Sequence, residues 1–186
     1  MQAVVAASRA GRVDAVVQVV ISNQPDAPGL VWAREAGIEV LVVPHRNYPT
    51  RAAYDDALVE ILRARGIRLV VLAGFMRVLG PTFCAAFPYA ILNVHPSLLP
   101  SFPGVDAQRQ AFEYGVTVTG VTVHFVTPEL DAGPVVAQAT VPLLGDDTVD
   151  TLRARILAEE HRLLPDALQR VIRGGWRVDG RRILWD

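Results

Sequence analysis

An apolar run, "ILNVH" (residues 91–95), reads as a buried strand, yet it carries Asn93 and His95 at its end and then enters the proline-rich "PSLLPSFPG". The two polar residues are two positions apart, so on a strand their side chains point the same way. That pair suits stabilisation of an oxyanion, because an amide N–H can donate to developing negative charge and an imidazolium can do so more strongly. A carboxylate is then needed to keep the histidine charged and to handle protons. Asp131 in "TPELDAGP", an acidic loop between two strand-like runs, is the best candidate. By residue type alone, Asp131 and Glu129 read equally as turn residues that satisfy backbone donors. His124 alternates with Val123 and Phe125 on its strand and is expected to support the site from behind. The four histidines are not spaced as a zinc site, and no metal is expected.

The elements that must position these groups alternate between strand and helix. "DAVVQVVISN" (14–23) is short and β-branched, and the turn residues of "QPDAPG" end it. "LVWAREAG" reads as a short helix stopped by Gly37, and "EVLVVPH" as the next strand. Thr50 is the expected N-cap of a helix whose apolar positions Tyr54, Ala57, Leu58, Ile61 and Leu62 keep helical spacing. "LVVLAGF" (69–75) is nearly all apolar, as in a strand covered on both faces. After "ILNVH" come a helix from about 106 to 114, strands in "GVTVHFVT" and "PVVAQATVPL", and a long helix from about 147 that crosses Pro165, where a kink is expected, and stops at Gly174-Gly175. A hairpin around Asp179-Gly180 follows. This order predicts one α/β domain over 1–186, three-layered, with a mostly parallel Rossmann-like sheet. The opening "MQAVVAASRAG" reads as a helix with no strand before it.

Composition narrows the class further. The chain has 186 residues, 51% of them apolar, which suffices for a sizeable core. All 18 basic residues are arginines, balanced by 19 acidic ones to a net charge of −1, so no nucleic-acid footprint is expected. No apolar run is long enough to span a bilayer, and no membrane partner is expected. Cys84 is the single cysteine and reads as a small buried thiol, so a cytoplasmic location is expected.

Together, "LAGFMRVL", "ILNVHPSLLPSFPG", "GVTVHFVTPELDAGPVVAQATVPL" and "EEH" resemble the phosphoribosylglycinamide formyltransferases of the folate-dependent purine pathway. The resemblance implies transfer of a formyl group from 10-formyltetrahydrofolate to the amine of glycinamide ribonucleotide. Asn93, His95 and Asp131 match that family's catalytic trio. The resemblance also implies folate contacts at Phe75, Met76, Arg77, Val78 and Leu79, and again at Thr127, Glu129, Leu130 and Gly133. It places the ribonucleotide against Arg51, Gly74, Val94, Pro96 and Glu160, with Arg51 on the phosphate and Glu160 on the ribose. A monomer or homodimer is expected.

The sequence departs from the family pattern at its start, where a strand and a glycine-rich phosphate loop are expected and a helix stands instead. The expectation is a chain truncated relative to the family, with two neighbouring strands left short of a partner. Asp106 and Gln108 stand where many relatives carry histidines, and Leu157 where a polar contact can occur. The same residues admit three rival readings. A formyltetrahydrofolate hydrolase shares the trio, but such relatives usually carry a second histidine where Pro96 follows His95. A methionyl-tRNA formyltransferase needs a further RNA-binding domain. A folate-binding remnant would keep the folate loops without turnover.

Overall fold

The computed structural model describes residues 1–186. Helix α1 (Gln2–Arg9) opens the chain, followed by β1 (Val19–Ser22), α2 (Pro28–Glu35) and β2 (Glu39–Val42). Helix α3 (Arg51–Ala64) starts at Thr50, whose hydroxyl accepts the Ala53 amide at 3.1 Å, so the expected cap is present. Strand β3 (Val70–Leu72), helix α4 (Pro81–Ala86), strand β4 (Ile91–His95) and helix α5 (Ala107–Tyr114) lead to the long strands β5 (Val118–Phe125) and β6 (Val135–Pro142). Helix α6 (Val149–Arg173) and the hairpin β7 (Trp176–Asp179) and β8 (Arg182–Trp185) complete the order.

The class is α/β as read, and the sheet is mixed. β1–β2 and β3–β4 pair in parallel, whereas β4–β5 and β5–β6 pair antiparallel. The connection from β5 to β6 is too short for a crossover, so β6 must run back along β5. β1–β2 and β3-β4-β5-β6 are separate sheets, and β1 and β3 each pair on one side only. Their side chains nevertheless share one apolar cluster: Val19, Ile21, Val70 and Leu72 all pack against the buried group that contains Tyr54, Leu58 and Phe83.

Alternation along the strands gives the layers. Ile91 belongs to the cluster under α3 and α4, while its neighbour Leu92 belongs to the cluster formed with α1 and α6. β4 is therefore buried on both faces, which is why its first residues carry no polar side chain. Helix α6 runs unbroken through Pro165, which is buried within it. Its start is a capping box in which Thr148 and Thr151 bond each other's backbone amides. One local expectation changes, and one helix had no counterpart in the sequence pattern. "PTFCAA" forms α4, which has too few turns to show a helical period, and Cys84 on it is half-buried rather than buried. Burial still pushes the Cys84 thiol up, with Asp55 adding to the effect, so it stays protonated near neutrality.

Candidate active site

Asn93 and His95 lie on one side of β4 at its carboxyl end, where open α/β sheets bind ligands. The pairing with β5 sets His124 directly opposite Asn93 and Thr122 opposite His95. Asp131 enters from the loop between β5 and β6 with φ 49°, a left-handed conformation that an aspartate tolerates better than a bulky residue.

The three groups converge under fixed hydrogen bonds. His95 is 4% exposed, and its Nε2 lies 2.9 Å from the Phe102 carbonyl. A carbonyl only accepts, so Nε2 carries a proton and Nδ1 is the nitrogen left to face the site. That Nδ1 is 3.5 Å from Asp131 Oδ2. The same Oδ2 accepts the Gly104 amide at 2.8 Å, and the Asp131 side chain is only 9% exposed. His124 is buried, and its Nδ1 donates to the Phe125 carbonyl at 2.9 Å. Its Nε2 is thereby an acceptor and receives the Asn93 amide at 3.3 Å. Desolvation lowers the His124 pKa below its ordinary value against the raising effects of the Phe125 carbonyl and Asp131. The 3.8 Å approach of His124 Nε2 to Asp131 Oδ1 is thus a contact of a neutral ring, not an ion pair. One Asn93 N–H is committed to His124, and the other is left to face the site.

Phe75, Arg77, Val78, Leu79, Thr127, Glu129 and Leu130 line one cleft together with Asn93, His124 and Asp131. Its far wall is built from β3 outward. Gly74 turns the chain with φ 68°, Arg77 lies over the Tyr54 ring at 5.7 Å, and the buried Asp55 carboxylate accepts the Gly80 amide at 2.7 Å. Met76 is 82% exposed and stands outside the cleft. Gly133 is required for packing: a Cβ there would sit 1.8 Å from the Phe125 carbonyl oxygen. Val94 points to the opposite face of β4, against the α6-side core, and does not line the cleft. Pro96 begins the loop that follows His95. Arg51 is exposed at the first turn of α3, and Glu160 is half-buried on α6; neither lines the cleft. Desolvation pushes the Glu160 carboxyl up to about 7, opposed by the positive amino terminus.

Some supporting groups carried no signal of their own in the sequence. The buried Thr122 hydroxyl donates to the Ser97 carbonyl at 2.7 Å and accepts the Leu99 amide at 3.0 Å, tying the loop after His95 to β5. Ser97 donates to the Ser101 carbonyl at 2.5 Å. Asp106 pairs with Arg109 and Arg153, which links the start of α5 to α6. No group of three or more His, Cys, Asp or Glu side chains is placed to hold a metal, and no helix is long and apolar enough to cross a membrane.

The formyl transferase family model matches residues 1–168. Phosphoribosylglycinamide formyltransferase of Escherichia coli K12 is 41% identical over 97% of this chain and 82% of its own length. The trifunctional purine biosynthetic protein adenosine-3 of Bos taurus is 44% identical over the whole chain, which spans 18% of that protein. Among solved structures, glycinamide ribonucleotide transformylase 1 from Symbiobacterium toebii superimposes with a TM-score of 0.97 at 52% identity, covering all of this chain and 88% of that one. The chain belongs to the formyl transferase family, on the branch of the phosphoribosylglycinamide formyltransferases.

Proposed function

We propose that this chain transfers the formyl group of 10-formyltetrahydrofolate to the amine of glycinamide ribonucleotide. One observation carries the reading: Asn93, His95 and Asp131 form one contiguous cluster, with His95 Nδ1 3.5 Å from Asp131 Oδ2 and Asn93 joined to Asp131 Oδ1 through the His124 ring at 3.3 and 3.8 Å. The amine nitrogen attacks the formyl carbon, and the new C–N bond forms as the carbonyl oxygen takes up negative charge. Asn93 and protonated His95 donate to that oxyanion, a contribution of roughly 10²–10³-fold for each donor removed. As the intermediate collapses, the bond from the formyl carbon to the folate nitrogen breaks. The proton lost by the attacking amine passes by way of Asp131 to that leaving nitrogen.

The folate would occupy the cleft, against the 75–79 segment and the 127–131 loop, with Met76 and Gly133 contributing backbone only. Glycinamide ribonucleotide would reach the trio past Gly74 and Pro96, its phosphate toward Arg51 and its ribose toward Glu160. We place the enzyme in the cytoplasm, acting on small molecules as a monomer or homodimer. The test is release of the deformylated folate, followed by absorbance, with and without glycinamide ribonucleotide. Release that depends on the ribonucleotide supports the transferase; equal release without it would assign the chain to hydrolysis instead.

A further inference from the structure

Two consecutive peptide units hold the two catalytic side chains. The carbonyl of the Phe102–Pro103 peptide accepts from His95 Nε2 at 2.9 Å, and the amide of the Pro103–Gly104 peptide donates to Asp131 Oδ2 at 2.8 Å. The relative setting of His95 and Asp131 therefore depends on the dihedrals of Pro103. Its ring fixes φ, so ψ is the one free rotation between the two peptide planes. The flanking residues are in left-handed conformations, Phe102 with φ 53° and Gly104 with φ 81°, and for a bulky residue like Phe102 that conformation is costly. Such a segment holds its geometry only if something outside it does so.

Gln110 on α5 supplies that restraint. Its Nε2 donates to the Pro103 carbonyl at 3.3 Å and to the Val105 carbonyl at 2.8 Å, using both N–H bonds of one amide group. The Pro103 carbonyl belongs to the same peptide whose N–H binds Asp131. Donation into that carbonyl fixes the peptide plane and polarises its N–H toward the carboxylate. Helix α5 is itself tied to α6 through the Asp106–Arg153 pair at 2.6 Å.

We infer that Gln110 is a positioning residue for formyl transfer: it sets the Pro103–Gly104 peptide and, through it, the approach of Asp131 to His95. This rests on the proposed function for its kinetic consequence but not for its structural one. Gln110→Ala is expected to lower kcat by roughly 10–100-fold, the cost of misplacing reacting groups by up to an ångström, while KM for both substrates changes little. Gln110→Glu, which cannot donate to carbonyls, is expected to be at least as impaired, and Gln110→Lys, which can, to recover most of the lost rate. Independently of activity, exchange of the Gly104 amide with solvent, read by NMR, is expected to quicken by about tenfold or more in Gln110→Ala.

An unchanged kcat in Gln110→Ala overturns the inference, as does a Glu variant equal to the Lys variant. Faster Gly104 exchange with full kcat also overturns it, since the peptide would then move without consequence for catalysis. Should the wild-type chain show no formyl transfer, the functional reading fails separately. The Gly104 exchange rate then decides alone whether Gln110 sets that peptide.

Discussion

Replacing His124 by Gln removes a buried ring that does two things in this structure. It accepts the Asn93 amide, and it resists protonation because burial disfavours the imidazolium. A histidine whose pKa is lower folded than unfolded binds more protons in the unfolded chain between the two values. Its neutral-state stability is therefore fully present above the unfolded pKa, near 6.5, and is lost as pH falls below it. One proton gives a slope of at most about 1.4 kcal/mol per pH unit, hence up to about 2 kcal/mol between pH 6.5 and 5. In His124→Gln this contribution is absent. The variant should also be less stable than wild type by about 1–3 kcal/mol near pH 8, because Asn93 and the Phe125 carbonyl lose well-placed partners. Its kcat should fall, by up to roughly 100-fold, as one oxyanion donor loses its fixed orientation. Urea unfolding of both proteins at several pH values between about 5 and 8 measures the difference directly. Identical pH dependence in wild type and variant would refute the assignment of a buried neutral ring.

Three further outcomes are expected. The Glu160 pKa is raised in the fold to about 7, so its contribution favours folding below the unfolded value and is lost as pH rises through about 7; Glu160→Gln should raise the melting temperature at pH 8 and leave it unchanged at pH 4. Gly133→Ala forces a Cβ onto the Phe125 carbonyl and should cost about 3 kcal/mol or more in denaturant unfolding, a result that a freely adjusting loop would not give. Thr148→Ala removes the capping box of α6 and should cost about 1 kcal/mol in the same assay.

The residues differ in how far their roles could be read before the fold was known. Asn93 and His95 were legible because strand alternation alone puts them on one side, and Thr50 because a capping hydroxyl before a helical period has few other uses. The two faces of the sheet were legible in the unbroken apolar runs around Val71 and Leu92. The partnership of His124 with Asn93 was not, since it follows from the register of β4 on β5, which no local pattern encodes. Asp131 could be picked by residue type, but its grip on His95 depends on a left-handed loop residue and on the Gly104 amide from another segment. The "PG" of Pro103-Gly104 marked a turn without revealing that the peptides on either side of Pro103 hold His95 and Asp131. Gly133 matched a binding loop by resemblance, whereas its geometry answers to the Phe125 backbone. Helix α4 was hidden because six residues of uniform apolarity have no period to read. The mixed sheet follows from the tight "TPELDAGP" connection, which forces antiparallel return.

The central claim is that Asn93, His95 and Asp131 act as one unit in formyl transfer, and Asp131→Asn tests it most directly. The amide keeps an acceptor for the Gly104 N–H and nearly the same shape, so the fold and substrate binding should persist while the charge 3.5 Å from His95 Nδ1 is gone. Measured by the ribonucleotide-dependent release of deformylated folate, kcat should fall by roughly 10²–10³-fold with KM nearly unchanged. A variant that keeps kcat within a few-fold of an active wild type would contradict the account.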